Sequence, residues 1–334
     1  MSLREQIELL PKVELHVHLE GSIQPETLLR LAERNRVDLP AKDVAGLREW
    51  FIFRDFPHFV DVYVAASKCI RTPNDLELIA EEFARGQASQ NILYTEANYT
   101  AMTIKRYAGI PWDEQIDALQ RGFKKVPTAQ VNLIIDIVRE FAEEEGEQIA
   151  QWCINSKDKG VVAIGLSGYE GKTPVAKHAA AFRTAKEAGV KCSAHAGETG
   201  GAVAIREALD VALADRIGHG VRCLEDGTLV RDLRDRQVHL EVNPTSNVCL
   251  GVFHSLAEHS LPRLLDEGLS VSINSDDPPY FNTTLTDEWA RCAKEFELST
   301  DILYSLCIGA AEKAFLSDPE KAELKRQITA GWTI

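Results

Sequence analysis

The sequence feature that most constrains the fold is a regular alternation of short apolar runs with longer amphipathic segments. Most of the short runs are rich in valine, isoleucine and leucine and carry few charges, as expected for strands covered on both faces. The runs lie at 13–19, 92–99, 131–138, 161–168, 190–196, 215–220, 237–244 and 271–277. Helical patterns between them include 74–89, 112–125, 140–156, 174–188 and 222–235. This alternation predicts parallel strands joined by right-handed helical crossovers.

Eight such strands in a chain of 334 residues favour a closed (β/α)8 barrel, the TIM barrel, over an open sheet. The main alternative, an open doubly wound α/β sheet, usually carries a glycine-rich phosphate loop after its first strand. Here Gly21 stands alone after the first run. We therefore predict that residues 1–334 form a single α/β domain of the TIM-barrel class.

Two additions to a minimal barrel are visible in the sequence. Helical patterns at 24–36, 57–71 and 74–89 form an insertion between the first and second strands, and patterns at 284–296, 299–315 and 318–329 predict extra C-terminal helices. The insertion carries five clustered aromatic residues, Trp50, Phe51, Phe53, Phe56 and Phe59. These rings either form a lid or apolar pocket wall at the catalytic face, or only pack the insertion onto the barrel.

Charge, hydrophobicity and cysteine content indicate which partners the protein can bind and in which compartment it works. The formal net charge of −14 argues against binding to a nucleic-acid backbone or to an anionic membrane surface. No segment approaches the roughly 18 to 20 apolar residues of a membrane span, and residues 1–11 show no signal-peptide pattern. The 7 cysteines are scattered and form no Cys-x-x-Cys pair, which is typical of reduced thiols. We therefore expect a cytoplasmic protein.

Polar residues stand at the carboxyl ends of four predicted strands, where barrels carry their catalytic groups. In chain order they are His16, His18, Glu20, His195, Glu198, His219, Asp276 and Asp277. Each has a simpler interpretation when taken alone, since a single buried histidine is usually structural and Asp-Asp-Pro is typical of a turn. Polar residues at the carboxyl ends of four different strands are hard to attribute to coincidence, and together they indicate an active site.

Three imidazoles and one carboxylate, from His16, His18, His195 and Asp276, form a ligand set that suits Zn²⁺. Zinc with an open coordination position lowers the pKa of bound water from 15.7 to about 7. Two-metal barrel hydrolases generally bridge their metals with a modified lysine after strand four, but here residues 166–170 read Leu-Ser-Gly-Tyr-Glu. We therefore expect one zinc ion per chain. The absence of Pro-Cys-x-x-Cys excludes the cysteine-ligated base deaminases.

At this point the chain resembles the adenosine deaminase family of metal-dependent amidohydrolases. The stretches that carry the resemblance span almost the whole predicted barrel. They are residues 11–21 (PKVELHVHLEG), 193–198 (SAHAGE), 216–220 (RIGHG), 243–247 (NPTSN) and 275–278 (SDDP).

The resemblance implies a role for each candidate residue. His16, His18, His195 and Asp276 would hold zinc and its water, and His219 would orient and deprotonate that water. A protonated Glu198 would donate to purine N1, Asp277 would bond at N7, and the backbone N–H of Gly168 would face N3. The implied reaction is hydrolytic replacement of a 6-amino group by oxygen, with release of ammonia.

Departures from the family pattern concern the substrate rather than the chemistry. Glu20 stands where adenosine deaminases usually have an aspartate that meets the ribose 5′-hydroxyl, and His-Leu-Glu-Gly also occurs in relatives that act on adenine or modified nucleosides. Residues 165–170 look closer to the nucleoside deaminases than to the Asp-Ser-Ser-Glu of adenine deaminases. Asn98 replaces an arginine found in many relatives, which leaves its role open.

We therefore expect a small-molecule purine nucleoside as the substrate, adenosine or a 5′-modified adenosine, contacted by Glu20, Gly168 and Asp277. Adenine and 6-aminodeoxyfutalosine are the alternatives within the class. Outside it, the rivals are a metal-binding barrel without turnover and a metal-dependent esterase or amidase on the same scaffold.

Overall fold

The computed structural model describes residues 2–332. Within them eight strands form one parallel sheet, in which every strand pairs with its neighbour in chain order. The strands are β1 (Lys12–His18), β2 (Ile92–Tyr99), β3 (Gln130–Val138), β4 (Val161–Ser167), β5 (Lys191–Ala196), β6 (Arg216–His219), β7 (His239–Val242) and β8 (Ser270–Ile273). The predicted TIM barrel is confirmed.

The barrel closes between β1 and the segment that follows β8. Val17 and Asp276 form a parallel bridge. The N–H of His18 donates to the carbonyl of Asp276 at 2.8 Å, and the N–H of Asp276 donates to the carbonyl of His16 at 3.2 Å. The backbone bonds that close the barrel therefore also fix the register between two predicted histidine ligands and the predicted aspartate ligand.

Helices surround the sheet, and their amphipathic faces cover its outer side. In chain order the α-helices are α1 (Leu3–Leu9), α2 (Pro25–Asn35), α3 (Val44–Trp50), α4 (Phe56–Ser67), α5 (Pro73–Ser89), α6 (Ala101–Ala108), α7 (Trp112–Phe123), α8 (Glu143–Asn155), α9 (Ala179–Glu187), α10 (Gly201–Asp210), α11 (Gly227–Arg236), α12 (Pro244–Cys249), α13 (Leu261–Asp266), α14 (Leu285–Glu295), α15 (Thr300–Lys313) and α16 (Asp318–Trp332). The predicted insertion after strand one is confirmed as α2 to α5, and the C-terminal addition as α14 to α16.

Local sequence signals explain several helix boundaries. The side chain of Asp55 accepts a hydrogen bond from the N–H of His58 and so caps α4, while Thr72 caps α5 ahead of Pro73 at its first position. Pro244 begins α12 in the same way, so β7 ends at Val242 rather than at the predicted residue 244. The predicted last strand, 271–277, is also too long, because β8 ends at Ile273.

The two faces of β1 show how the barrel is filled. All seven residues of the strand are buried, including the charged and polar ones at alternate positions. Successive side chains of a strand point to opposite faces, so the apolar residues meet the helices while the histidines meet the other strands inside the barrel. Within residues 2–332, no helix combines the length and apolar character needed to cross a bilayer.

Candidate active site

Five predicted side chains converge at the carboxyl ends of the strands. His16 and His18 lie two residues apart on β1 and therefore point to the same side. His195 is the last residue but one of β5, and His219 ends the neighbouring strand β6. Asp276 follows β8. The backbones of His219 and Asp276 both have left-handed φ values, 62° and 63°. Non-glycine residues in this region are strained, and such strain is concentrated at functional sites.

The side-chain atoms of the four predicted metal ligands are close to one another. Nε2 of His18 lies 3.1 Å from Nε2 of His195. Oδ1 of Asp276 lies 3.3 Å from Nε2 of His16 and 3.3 Å from Nε2 of His18. Zinc ligands lie about 2.0–2.1 Å from the ion, so two ligands of a tetrahedral site are about 3.3 Å apart. The three separations are therefore of the size expected for side-chain donors that share one metal ion.

Other properties of the cluster also fit a metal. All four side chains are buried, and Nε2 of His16 makes no hydrogen bond within residues 2–332. A buried nitrogen without a partner is costly unless a metal or another group occupies the space it faces. The donor atoms of His16, His195, His219 and Asp276 all lie within 4.8 Å of one another, and His18 forms a second such group with Asp276 and Asp277. The structure thus brings together every histidine predicted at the strand ends.

His219 has distinctive neighbours on both ring nitrogens. The Asn247 amide nitrogen lies 3.0 Å from Nδ1 of His219, and that of Asn243 lies 3.3 Å from it. Nε2 is 3.7 Å from Glu198 Oε2 and 4.0 Å from Asp276 Oδ2. Burial lowers the pKa of His219 to about 3, so the ring is neutral at physiological pH. With Nδ1 accepting from the amides, its proton lies on Nε2 and faces the two carboxyl groups.

Glu198 is held by the loop that bears it. Glu170, from the loop after β4, accepts hydrogen bonds from the N–H groups of Gly197 at 2.7 Å, Glu198 at 2.9 Å and Thr199 at 2.9 Å. Burial raises the pKa of Glu198 well above its ordinary value, and the negative charges of Asp276 and Glu170 add to that effect. Its surroundings therefore favour the protonated form of Glu198.

Asp277 is the second buried carboxyl group that faces the site. Neither of its oxygens has a hydrogen-bond partner within residues 2–332. Burial raises the pKa of Asp277 well above its ordinary value, and the neighbouring charge of Asp276 raises it further. Gly168, whose backbone has a φ of 95°, lies on the wall of the same cavity. Both residues line the cavity, and their predicted contacts with a substrate stay a prediction.

Glu20 differs from the other predicted substrate contacts. Its Oε1 accepts a hydrogen bond from the backbone N–H of Thr100 at 2.9 Å, and its Oε2 accepts one from the hydroxyl of Tyr63 at 3.0 Å. Glu20 is fully buried and is not among the residues that line the cavity. Direct contact with a substrate in this cavity would therefore require the residues between Glu20 and the cavity, such as Tyr63, to move.

A cavity of about 330 Å³ opens above the cluster. Its inner end holds metal-ligand and acid–base candidates, and its outer wall is mainly apolar. The inner residues include His18, His195, Glu198, His219, Asp276 and Asp277, and the outer ones include Phe56, Phe59, Val60, Val64, Phe141 and Leu250. A second cavity of about 390 Å³, between α2, α5 and the loop before α14, contains none of the predicted site residues among those that line it.

The aromatic residues of the insertion have both of the roles considered above: some line the pocket, and others pack the insertion onto the barrel. Phe56 and Phe59 form part of the cavity wall. Phe51 packs against Tyr280, with ring centroids 4.6 Å apart, and Phe53 packs against both Phe59 and the loop that follows Asp277. The patch therefore forms the pocket wall and also anchors the insertion to the strand-eight loop.

Sequence reasoning gave no individual role to several residues that shape the site. Asn247 lies in the Asn-Pro-Thr-Ser-Asn stretch, whose resemblance to the family assigns it no separate role, and the sequence around Glu170 indicates only a type of substrate. Glu241, 2.8 Å from Nδ1 of His16, was not singled out. Asn98 donates to Asp136 at 2.9 Å in the barrel interior and does not line the cavity.

Fold and site together define a TIM-barrel protein with a buried His/Asp cluster suited to a metal and adjacent acid–base groups. A family model described as adenosine deaminase matches residues 11–331. The chain therefore belongs to the adenosine deaminase family, whose members are enzymes that hydrolyse C–N bonds.

Individual relatives extend over almost the whole chain. An adenine deaminase of Wolinella succinogenes is 35% identical over 331 residues, which cover 98% of this chain and 99% of that protein. The crystal structure of an adenine deaminase from Arthrobacter aurescens has a TM-score of 0.89 at 33% identity and covers 96% of this chain and 98% of that one. A zinc-bound amidohydrolase from Burkholderia ambifaria shares the fold, with a TM-score of 0.91 at 24% identity, covering 99% and 93% of the two chains.

Proposed function

We propose that this protein is a zinc-dependent hydrolase that deaminates a 6-aminopurine, with adenine as its main substrate. The observation that carries the proposal is the placement of two buried carboxyl groups, Glu198 and Asp277, beside the His/Asp cluster at the inner end of one cavity. A purine that presents C6 to the metal offers N1 and N7 on either side of it. Two protonated carboxyls in this position suit those two nitrogens.

His16, His18, His195 and Asp276 would hold the zinc ion. When bound, zinc would act as a Lewis acid that lowers the pKa of water at the site. Glu198 would donate its proton to N1 and make C6 more electrophilic, and Asp277 would hydrogen-bond N7. His219 would stabilise the charge that develops on the attacking oxygen through its Nε2 proton.

The position of Glu20 supports adenine over a nucleoside. A ribose 5′-hydroxyl would need a polar partner on the cavity wall, but Glu20 is fully buried behind Tyr63 and does not line the cavity. Both relatives named above as adenine deaminases are more than 30% identical to this chain. In the sequence, Glu170 is part of the stretch that favours a nucleoside as the substrate. In the structure it accepts hydrogen bonds from the loop that carries Glu198, and this loop would be needed to deaminate either adenine or a nucleoside.

One observation favours a second candidate, adenosine or a 5′-modified adenosine such as 6-aminodeoxyfutalosine. The cavity of about 330 Å³ is lined both by the buried acid–base groups and, in its outer part, by Phe56, Val60 and Leu250, which are more exposed. A substituent on N9 would point into this outer part. The sequence-based preference for a nucleoside therefore stays a prediction to be tested.

The test is a panel of adenine, adenosine, 2′-deoxyadenosine and 6-aminodeoxyfutalosine with zinc-loaded protein. Conversion is followed by the ultraviolet absorbance change of the 6-amino to 6-oxo transition and by ammonia release. The proposal predicts the highest kcat/KM for adenine. A higher value for a nucleoside would establish the second candidate, and no turnover of any member in zinc-loaded protein would favour the metal-binding barrel without activity.

A further inference from the structure

A row of buried charges extends beneath the metal-ligand cluster. Nη2 of Arg216 lies 2.6 Å from Oε2 of Glu96, and Nε of Arg216 lies 2.6 Å from Oε1 of Glu241. The other oxygen of Glu241 lies 2.8 Å from Nδ1 of His16. All four residues are no more than 1% exposed. Buried charges are costly even when paired, so such a row is weak evidence for stability and calls for another explanation.

Arg216 and Ser193 hold the carboxylate of Glu241 in place. Nε of Arg216 donates to Oε1 of Glu241 at 2.6 Å. Ser193 adds a weaker hydrogen bond to the same carboxylate at 3.3 Å. The other oxygen, Oε2, therefore lies against one ring nitrogen of a predicted zinc ligand.

This contact determines how the His16 ring can meet a metal. A carboxylate can only accept, so Nδ1 of His16 carries a proton and donates it to Glu241. Nε2 then faces the cluster, where it lies 3.3 Å from Oδ1 of Asp276 and makes no hydrogen bond within residues 2–332. We propose that Glu241 is a positioning residue that fixes the ring orientation and tautomer of His16 for zinc, and that Arg216 holds Glu241 in the position this requires. The inference rests on the proposed zinc site.

The other histidine ligands lack a comparable partner. Nδ1 of His195 lies 2.9 Å from the carbonyl oxygen of Leu166, which is neutral, and Nδ1 of His18 has no hydrogen-bond partner within residues 2–332. A carboxylate behind a ligating histidine makes that ligand more basic, and its loss typically lowers metal affinity by 10- to 100-fold. Among the three predicted histidine ligands, His16 is therefore the one whose affinity for the metal depends on a buried carboxylate, that of Glu241.

The direct test is Glu241→Gln, with zinc affinity measured by competition against a chromophoric chelator. In this variant the amide oxygen can still accept from Arg216, so the amide NH₂ faces Nδ1 of His16 and favours the wrong tautomer. We expect zinc affinity to fall roughly 10- to 100-fold. The matched control is Glu288→Gln, because Glu288 is equally buried but accepts hydrogen bonds from Thr245 and Thr283. Affinities within twofold of each other in wild type and Glu241→Gln would overturn the inference.

Thermal unfolding separates this role from a purely structural one. Zinc stabilises the folded state by an amount that depends on its dissociation constant. If Glu241 positions His16, the zinc-induced rise in Tm is smaller in Glu241→Gln than in wild type and in Glu288→Gln. If Glu241 only supports the barrel, the metal-free and zinc-loaded forms both lose stability and the rise is unchanged, which overturns the inference.

A measurement on wild type covers the case in which Glu241→Gln does not fold. NMR of zinc-loaded protein with ¹⁵N-labelled histidine should show an Nδ1 proton on each of the three metal-bound rings. The proton that His16 donates to Glu241 should lie far downfield of that of His18, whose Nδ1 has no acceptor within residues 2–332. A His16 proton that is absent, or no further downfield than that of His18, overturns the inference. Each of these results is independent of deamination, so a protein that binds zinc but converts no purine would refute the proposed function alone.

Discussion

The carboxyl group of Asp277 lies directly over the α-carbon of Gly21. A β-carbon added at residue 21 would stand 1.6 Å from Oδ1 of Asp277 and 2.6 Å from its Cγ. No side chain at residue 21 can coexist with this position of Asp277. The glycine after His-Leu-Glu is therefore required by a side chain that lies more than 250 residues away in the sequence.

Gly21→Ala should displace the carboxyl of Asp277 while leaving the metal ligands in place. We expect kcat/KM for adenine to fall roughly 100-fold, because a misplacement of about 1 Å can have that effect. Zinc content should be unchanged. The control is Gly86→Ala in α5, where a β-carbon meets nothing within 4 Å and the helix should gain about 1 kcal/mol. Wild-type kcat/KM in Gly21→Ala would contradict the role of Asp277.

Glu198→Gln should retain zinc and lose most turnover. Glutamine keeps the shape of the side chain but cannot transfer a proton to N1, and general acid catalysis contributes about 10²- to 10⁴-fold. The measurement is single-turnover and steady-state kcat together with zinc content. A kcat within a few-fold of wild type would remove Glu198 from the proton-donor role.

The raised pKa of Glu198 predicts how kcat/KM changes at alkaline pH. Because burial raises the pKa of Glu198, the protonated form needed for donation persists through neutral pH. It is lost as the pH rises through that raised pKa, so log kcat/KM should fall with unit slope at alkaline pH. His219, with a pKa of about 3, stays neutral over the same range. Activity that continues to rise at alkaline pH would show that the ionised form of Glu198 is the active one.

Glu170→Gln should disturb catalysis without removing the metal. The two carboxylate oxygens of Glu170 accept hydrogen bonds from the N–H groups of residues 197–199, and the substitution replaces one of them with an NH₂ group. Because an NH₂ group cannot accept from an N–H, the loop that carries Glu198 should become more mobile. We expect kcat to fall roughly 10- to 100-fold with a smaller change in KM. Glu225→Gln is the control, because exposed Glu225 accepts from the N–H of Ala202 in the following helix. Equal effects of the two variants would indicate a general loss of helix stability.

Tyr63→Phe tests whether the insertion helps to select the substrate. The change leaves Oε2 of buried Glu20 without a partner, which should cost about 1–3 kcal/mol of stability. It also frees that oxygen toward the cavity, so kcat/KM for adenosine should rise relative to adenine. Tyr99→Phe, which removes a buried bond to Gln115, should cost stability without changing this ratio. An unchanged ratio in Tyr63→Phe would exclude the Glu20–Tyr63 pair from substrate selection.

Much of the architecture could be predicted because its signals are local. The eight apolar runs, the insertion and the C-terminal helices each follow from periodicity within a short window of sequence. His16 and His18 could be assigned to one side because strand geometry alone sets the direction of residues two apart. Boundaries were less certain, as at β8, because the chain leaves the strand three residues before Asp276 through contacts that no local pattern encodes.

The sequence by itself determined the strand order, the inward direction of the histidines and the donor types that suit zinc, since these depend on residue identity and on spacing along one element. Only the tertiary structure decided that Glu20 is bonded to Tyr63 and Thr100, that Glu170 holds the Glu198 loop, and that Glu241 meets His16. Each of these contacts joins side chains from different elements, and their separation depends on how the barrel closes. Burial, which sets the protonation of Glu198 and Asp277, likewise exists only once the barrel has closed around them.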